Sequence, residues 1–394
     1  MSGLNKNKLY RLPWSLYDNP IGWVEITDKC NMDCLGCYRN YLETNEGHKP
    51  IEDIKEEVLF MQKVRNASEI TLAGGEPLLH PEIVDIVKFI DTQSLGAKIF
   101  SNGKGLTKEL LQQLVSSGLS QITLHIDSFQ TRKDEWDNKS EIELNALRQY
   151  YLDISKNLRN LDLSFACMVT RQNLKDIPDL IRWSLKKRGR VGGLAFFALR
   201  QYETVFNDDK PALVSVNTQD NVYSEDIYYK IRKAFPQYDV AAYFGGTSNP
   251  QSFKWLFSVS LCGPDAMVGS VSPISMELHQ VLKHLKHGRY VGDDKNEGII
   301  ERFFTKLLFL IFDRKVRGIL FSLLKKPLLL LNTLYLFRII IVQAHDISAY
   351  GDMDMCDGCP DMTLFKGRLV NSCRLDEYRK YGEIISDLRD KIKN

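Results

Sequence analysis

The sequence predicts an α/β fold, in which a partial parallel barrel is followed by a mostly helical C-terminal region with a cysteine-bearing knuckle. Three observations support this prediction. Short apolar runs alternate with longer helical patterns from Trp23 to Leu199, three cysteines directly follow the first run, and three more lie near the C-terminus. A length of 394 residues is enough for one large domain with appendages.

The overall composition is that of a globular protein. Hydrophobic residues make up 44% and charged residues 26%, close to the averages for folded domains. With 52 basic and 50 acidic residues the net charge is +2, which gives no indication of nucleic-acid binding. The N-terminus lacks the apolar segment of a secretory signal, and clustered thiols in a chain without one are typical of metal ligands in a reducing compartment. We therefore expect a cytoplasmic protein.

The first half of the chain predicts six strand–helix units in series. Between the apolar runs, hydrophobic residues recur at helical spacing, as they do from Ile51 to Val64. Six units are fewer than the eight of a closed barrel, so we expect an open or partial (β/α)6 barrel with its chemistry on the loops after the strands. The predicted strands are Trp23–Thr27, Glu69–Ala73, Ala97–Ser101, Gln121–Asp127, Leu161–Val169 and Gly193–Leu199.

Beyond this barrel the alternation ends, and the sequence divides into regions of different character. The segment Arg302–Arg338 holds eight basic residues against one acid, a local charge of +7. Its longest uncharged run, Pro327–Phe337, is shorter than the ~18 residues that a membrane span needs. The segment predicts either a basic amphipathic helix at an anionic membrane surface or a packed helical hairpin whose lysines reach solvent. We assign an N-terminal extension (1–20), a barrel core (21–205), a substrate or bridging region (206–300), a basic apolar helical segment (301–345) and a C-terminal cysteine domain (346–394).

Cys30, Cys34 and Cys37 form the first cysteine group, in the loop TDKCNMDCLGCYRN after the first predicted strand. Closely spaced loop cysteines are typical ligands of iron–sulfur clusters. A structural zinc would need a fourth ligand, and the nearest histidine, His48, lacks a partner at suitable spacing. Three ligands leave one iron open, which suits catalysis better than electron storage. Zinc-binding or incidental cysteines are the alternative.

This loop resembles the Cys-x3-Cys-x2-Cys loop of the radical S-adenosylmethionine (SAM) superfamily. Three further loops occur in the same order as in that family: Gly74-Gly75-Glu76-Pro77, Ser101-Asn102-Gly103, and the end of the run Leu124–Ser128. The resemblance covers about residues 20–200 and implies a partial (β/α)6 barrel of radical SAM type. The sequence departs from the family at Gly36, where an aromatic residue is usual; the aromatic here is Tyr38.

The resemblance also implies a chemistry and its residues. Cys30, Cys34 and Cys37 would bind a catalytic 4Fe–4S cluster whose open iron chelates SAM. Reductive cleavage of SAM would give methionine and a 5′-deoxyadenosyl radical that abstracts a substrate hydrogen, with electrons from a donor such as flavodoxin or ferredoxin. The implied SAM-binding residues are Tyr38, Gly74, Gly75, Glu76, Pro77, Ser101, Asn102, Asp127 and Ser128.

The residue types of these loops suit such a ligand on physical grounds. A glycine pair permits close backbone approach, and the Glu76 carboxylate can bind an ammonium group. Asn102, Asp127 and Ser128 can bind ribose hydroxyls. Each loop alone is better explained as a turn or a helix cap, and it is their occurrence together that favours a ligand site. His125 is expected to be a packing residue or a polar contact near SAM rather than a metal ligand.

Cys356, Cys359 and Cys373 form the second cysteine group, in which a hairpin turning at Gly367 returns the third thiol to the first two. Such a knuckle can hold zinc or an iron–sulfur cluster. It resembles the auxiliary-cluster site of SPASM/Twitch radical SAM enzymes, which implies a second 4Fe–4S cluster. Cys262 is a candidate fourth ligand, with a lone buried cysteine as the alternative. Cys167 is predicted to be a core residue.

Three hypotheses for function follow. The first is a radical SAM enzyme that acts on a hydrophobic, lipid-like substrate. It would lie in the cytoplasm, or at the inner membrane face through the basic apolar segment. The second is a maturase of a ribosomally made peptide or a modifier of a small metabolite. The short stretch before the barrel leaves no evident peptide-recognition or cobalamin-binding domain. The third, a non-catalytic iron–sulfur carrier, is disfavoured because a carrier has no need of the SAM-type loops.

Overall fold

The six predicted apolar runs form six parallel strands, because each alternates residues between the helix-covered face of the sheet and its inner face. The computed structural model describes residues 4–39, 47–207, 210–263, 266–292, 311–324, 334–347 and 353–385. Neighbouring strands pair in chain order, which confirms the predicted core. The strands are β1 (Ile21–Thr27), β2 (Glu69–Gly74), β3 (Gly96–Ser101), β4 (Leu119–His125), β5 (Asp162–Val169) and β6 (Gly193–Ala198).

Amphipathic helices connect these strands and cover one face of the sheet. The first of them buries Ile54, Val58 and Met61, whose spacing places them on one side of a helix. Together with the outward residues of the strands they form the main hydrophobic core. The helices are α1 (Ile51–Val64), α2 (Ile83–Thr92), α3 (Lys108–Ser116), α4 (Asn145–Ile154) and α5 (Ile177–Leu185).

The sheet is strongly curved, as a partial barrel requires. Phe100 on β3 and Phe197 on β6 point to its inner face, and their ring centroids are 5.8 Å apart. In a flat sheet, strands three positions apart would be separated by ~14 Å. The rings therefore meet across the concave interior, where Trp23 and His125 also contact Phe100.

C-terminal strands extend the barrel beyond its sixth strand. They are β7 (Ala242–Gly245), β8 (Phe253–Cys262), β9 (Met267–Ser270) and β10 (Tyr335–Gln343). β10 lies parallel to β6, and β8 runs antiparallel to β10, β7 and β9. The segment 301–345, predicted to be helical, therefore ends in a strand. The reason is local: Ile339, Ile340, Ile341 and Val342 are β-branched and favour a pleated, buried strand.

The remaining elements place strands as well as helices in the C-terminal region. The helices are α6 (Ser224–Ala234), α7 (Pro273–His287), α8 (Arg314–Leu324) and α9 (Leu375–Tyr381). The short antiparallel pairs are Gln201–Asn207 with Lys210–Val216, Asp346–Ile347 with Met353–Asp354, and Met362–Phe365 with Arg368–Asn371. The third pair is the predicted hairpin, and its turn residues Lys366 and Gly367 both have positive φ.

All six barrel strands end at the same edge of the sheet, because they are parallel. The cysteine loop follows β1 there, and the loops after β2, β3 and β4 lie beside it. Within the described residues, none of the helices combines the length and apolar character needed to cross a bilayer.

Candidate active site

The cysteine loop is fixed to the loops that follow β3 and β4. Asp33–Cys34 pairs antiparallel with Gln130–Thr131, and the Leu35 N–H donates to the Phe129 carbonyl at 3.1 Å. The Asn31 amide donates to the Lys104 carbonyl at 3.3 Å. The thiol-bearing segment is thus anchored on both sides before any ligand binds.

The structure brings Cys30, Cys34 and Cys37 together. Burial raises the pKa of each thiol, and the nearby thiol charges raise those of Cys34 and Cys37 further, the latter to about 11. Backbone N–H groups face Cys30 and Cys37, and the Asn102 amide lies 3.8 Å from the Cys30 sulfur. Mutually repelling thiolates that face N–H donors fit an iron–sulfur cluster, whose irons would offset their charge.

Gly36 explains the departure from the usual family sequence. Its φ of +67° lies in the left-handed region, which an aromatic residue rarely adopts. A Cβ atom there would lie 2.5 Å from the Leu199 side chain. Position 36 therefore requires glycine in this chain, for both backbone and packing reasons.

The glycine pair after β2 approaches the start of the cysteine loop rather than open space. A Cβ on Gly74 would lie 2.2 Å from the Thr27 carbonyl oxygen, and one on Gly75 2.4 Å from the Lys29 carbonyl oxygen. The Gly75 and Glu76 N–H groups donate to those two carbonyls at 2.7 and 2.8 Å. The glycines thus allow the two loops to be hydrogen-bonded side by side.

Glu76 joins the ends of β2 and β3. Its carboxylate is fully buried and accepts from the Ser101 hydroxyl at 2.7 Å, the Asn102 N–H at 2.7 Å and the Leu78 N–H at 2.9 Å. Burial raises the pKa of Glu76 to about 7, although these donors and Arg132 oppose the rise. Both oxygens are bonded within the chain, so Glu76 acts here as a positioning residue.

Asp127 and Ser128, after β4, are also bonded within the chain. Asp127 accepts from the Phe129 and Met168 N–H groups, each at 2.9 Å, and lies 2.6 Å from the His125 imidazole. Burial opposes ionisation, but the imidazole and these N–H groups outweigh it and lower the pKa of Asp127. The Ser128 hydroxyl donates to Glu141 at 2.9 Å. The predicted ribose-binding residues lie at the carboxyl edge of the strands, as expected. Their polar atoms form hydrogen bonds with neighbouring residues.

A buried charged cluster beyond Cys37 went unpredicted. Arg39 pairs with Glu25 at 3.1 Å and with Asp28 and Asp376. Arg379 on α9 also pairs with Asp28, at 2.7 Å. Asp376 and Arg379 lie more than 300 residues from the other members, so no local sequence pattern signals this cluster.

Glu25 also links the surroundings of the two cysteine groups. It accepts from the Tyr38 hydroxyl at 3.1 Å and from the Ser372 hydroxyl. Tyr38 follows Cys37, and Ser372 precedes Cys373. The Tyr38 hydroxyl is thus directed at Glu25.

Cys356, Cys359 and Cys373 are also brought together. The Cys356 thiol donates a hydrogen bond to the Cys359 sulfur, which raises the pKa of Cys356 and lowers the pKa of Cys359. Burial raises the pKa of Cys373. Arg65 on the barrel donates to the Cys359 and Pro360 carbonyls at 2.8 and 3.0 Å. The group is therefore docked onto the core, and its three thiols fit the donor set of a second cluster.

The structure does not bring Cys262 to this group. The indole of Trp255, near one end of β8, faces Cys356, whereas Cys262 ends the same strand. Seven residues of strand separate the two positions by ~23 Å. Cys167 is buried in β5, as predicted for a core residue. Within the described ranges, no three His, Cys, Asp or Glu side chains are arranged to hold a single ion.

Comparison with known proteins agrees with this geometry. Residues 24–184 match the radical SAM superfamily, a region that runs from β1 to α5 and includes all three N-terminal cysteines. The match covers about two fifths of the chain. The family uses a 4Fe–4S cluster and SAM, in agreement with the loops described above.

The relatives have low sequence identity to this chain, and the alignments cover only part of each protein. A tungsten-containing aldehyde ferredoxin oxidoreductase cofactor-modifying protein of Pyrococcus furiosus is 24% identical over 41% of this chain and 47% of its own length. The PqqA peptide cyclase of Bradyrhizobium diazoefficiens is 27% identical over 41% and 42%. An S-adenosylmethionine-dependent nucleotide dehydratase of Flammeovirga pacifica is 28% identical over 42% and 59%. The chain thus spans about half the length of these relatives.

Among solved structures, Streptococcus suis SuiB aligns with a TM-score of 0.41 and 14% identity over 56% of this chain and 46% of its own.

Proposed function

We propose that this radical SAM protein is an enzyme that cleaves SAM reductively and abstracts a hydrogen atom from a peptide or small polar metabolite. The observation that carries the proposal is the convergence of Cys30, Cys34 and Cys37 with the loops after β2, β3 and β4. When bound, the cluster and SAM supply a 5′-deoxyadenosyl radical, which removes the substrate hydrogen.

The chain's own residues would bind and orient these groups. Cys30, Cys34 and Cys37 would ligate the catalytic cluster, and the Asn102 amide lies beside the Cys30 sulfur. Glu76 holds Ser101 and Asn102 in place. The backbone of these loops would contact SAM, and an electron donor such as flavodoxin or ferredoxin would reduce the cluster.

A second cluster on Cys356, Cys359 and Cys373 is the proposed role of the C-terminal group. Its closeness to the core through Arg65 and through the Glu25–Ser372 bond supports it. The hairpin that carries it also lines a cavity of about 690 Å³ against β1 and α1. Acidic and basic side chains line this cavity, among them Asp28, Glu57, Lys49 and Arg379.

This lining supports a polar substrate over the lipid-like one that the basic apolar segment had favoured. The names of two relatives, a peptide cyclase and a nucleotide dehydratase, point the same way. Apart from Pro50, Phe60 and Leu364, this cavity offers an acyl chain few apolar contacts, whereas amides, carboxylates and phosphates could pair with its charged side chains.

The test is 5′-deoxyadenosine formation by anaerobically reconstituted, reduced protein supplied with SAM. We expect formation by the wild type and loss of at least 100-fold in Cys34→Ala, because a missing ligand releases the catalytic cluster. Cys167→Ala, which changes a buried cysteine outside both groups, is the matched control and should retain activity. Undiminished formation by Cys34→Ala with normal iron content would contradict the proposal.

A further inference from the structure

Asn102, in the loop after β3, is held in place through both polar groups of its backbone. Its N–H donates to the Glu76 carboxylate at 2.7 Å, and its carbonyl accepts from the Arg132 guanidinium at 3.3 Å. Asn102 is 8% exposed, and both of these partners are buried as well. Two buried charged side chains therefore fix the position from which the Asn102 side chain starts.

The backbone of Lys104 determines which way the Asn102 side-chain amide is turned. The Lys104 N–H donates to Asn102 Oδ1 at 2.8 Å, and because a backbone N–H can only donate, Asn102 Nδ2 lies on the opposite side. The Lys104 carbonyl accepts from Asn31 Nδ2 at 3.3 Å, so Asn31 Oδ1 is turned toward Asn102. Asn102 Nδ2 donates to that oxygen at 2.8 Å. The orientation of both amides thus follows from the fold.

The second hydrogen of Asn102 Nδ2 is directed at the Cys30 sulfur, which lies 3.8 Å from the nitrogen. The backbone N–H groups of Asn31 and Met32 also face this sulfur, but they belong to the cysteine loop itself. Asn102 reaches the sulfur from the end of another strand. Its side chain can therefore be changed while the two backbone donors to Cys30 stay in place.

We propose that Asn102 donates to the Cys30 sulfur in the cluster-bound protein and thereby raises the reduction potential of the N-terminal cluster. The inference rests on the proposed function, in which Cys30 ligates that cluster. Reduction takes one electron from the donor, which is oxidised by one electron, and adds negative charge to the cluster and its thiolates. An N–H donor stabilises this more negative state more strongly, so it makes reduction more favourable. Asn102 acts through Cys30 and is a positioning residue.

The test is a redox titration of the anaerobically reconstituted full chain without SAM, followed by low-temperature electron paramagnetic resonance. Asn102→Ala should lower the midpoint potential of the N-terminal cluster. At the potential that half-reduces the wild type, its reduced fraction should be lower by about threefold or more. Asn102→Asp keeps an oxygen for the Lys104 N–H but places a carboxylate where the donor was, so it should lower the potential further.

Two references accompany the titration. The signal that Cys34→Ala loses identifies the N-terminal cluster, and the signal that Cys359→Ala loses should keep its midpoint potential in both Asn102 variants. Asn173 supplies a matched control, because it is buried and its amide faces Cys167, a cysteine outside both groups, at 3.9 Å. Asn173→Ala removes the same kind of donor and should leave both midpoint potentials unchanged.

Iron content checks that each variant retains its clusters. Equal midpoint potentials in the wild type and both Asn102 variants, or an equal shift in Asn173→Ala, would overturn the proposal. So would loss of iron by both Asn102 variants, since Asn102 would then be needed to hold the cluster rather than to set its potential. A wild type without a cluster signal that responds to SAM would contradict the proposed function itself, and this inference with it.

Discussion

At the scale of single residues, the site is organised by side chains that form hydrogen bonds with neighbouring residues of the protein. Glu76 is the clearest case: the sequence predicts a carboxylate for a ligand's ammonium group, whereas the folded carboxylate accepts three donors from β3 and its own loop. The side chain is the same in both descriptions, but only the fold shows which partners are within reach.

The raised pKa of Glu76 predicts a pH-dependent stability. The folded state binds this proton more tightly than the unfolded state, because the carboxyl ordinarily titrates near 4.5 and here near 7. The stabilisation of the folded state by proton binding to Glu76 is therefore fully present below pH 4.5 and is lost as pH rises through 7. The free energy of unfolding of wild type relative to Glu76→Gln should fall by about 2–3 kcal/mol between about pH 5 and pH 8.

Urea unfolding at several pH values measures this difference. Glu109→Gln, on the exposed side of α3, controls for the loss of one carboxylate. A Glu76→Gln difference that stays constant with pH would contradict a buried carboxyl of raised pKa.

Residue types could be predicted from the sequence better than residue contacts. The cysteines of both groups were found because their spacing is local. Gly36 appeared only as a departure from a family pattern, and its reason, a positive φ against Leu199, needed the fold. Arg39 and Glu25 were missed because the residues that complete their cluster, Asp376 and Ser372, lie hundreds of residues away.

At the scale of elements, the cysteine loop and α9 are held together by Arg39. Its guanidinium is buried among Glu25, Asp28 and Asp376, and these carboxylates raise the pKa of Arg39 against the effect of burial. Removing one partner of a buried ion pair leaves the other charge uncompensated.

Arg39→Leu should therefore destabilise the fold by about 3–5 kcal/mol and expose the C-terminal segment to proteases. Thermal unfolding and limited proteolysis with mass analysis measure both effects. Arg182→Leu removes a pair with Asp179 in which both side chains are half exposed, and should cost less than about 1 kcal/mol. Equal effects of the two changes would show that the Arg39 cluster does not join these elements.

The strands of the core could be predicted because each repeats a local apolar pattern. Strand β10 could not be predicted, because the basic residues and leucines before it favoured a helix over the whole of 301–345. Its place beside β6 depends on a pairing between Arg338 and Gly193, which no local pattern encodes.

At the scale of the whole molecule, both cysteine groups are built on one curved sheet. The N-terminal group lies at the carboxyl edge of the strands, and the C-terminal group is docked by Arg65, which also donates to the Ile21 carbonyl at 2.8 Å at the start of β1. The fold class and the N-terminal site were predictable, because a sixfold strand–helix pattern and a cysteine loop determine them. The mutual placement of the two groups was not, because it depends on contacts across nearly the whole chain.

The central claim is that the N-terminal cysteines hold a SAM-binding cluster distinct from a second cluster at the C-terminus. Low-temperature electron paramagnetic resonance of the reduced protein, with and without SAM, tests it most directly. We expect two cluster signals, one of which changes with SAM; Cys34→Ala should lose that signal and Cys359→Ala should keep it. A signal that still responds to SAM in Cys34→Ala would contradict the assignment.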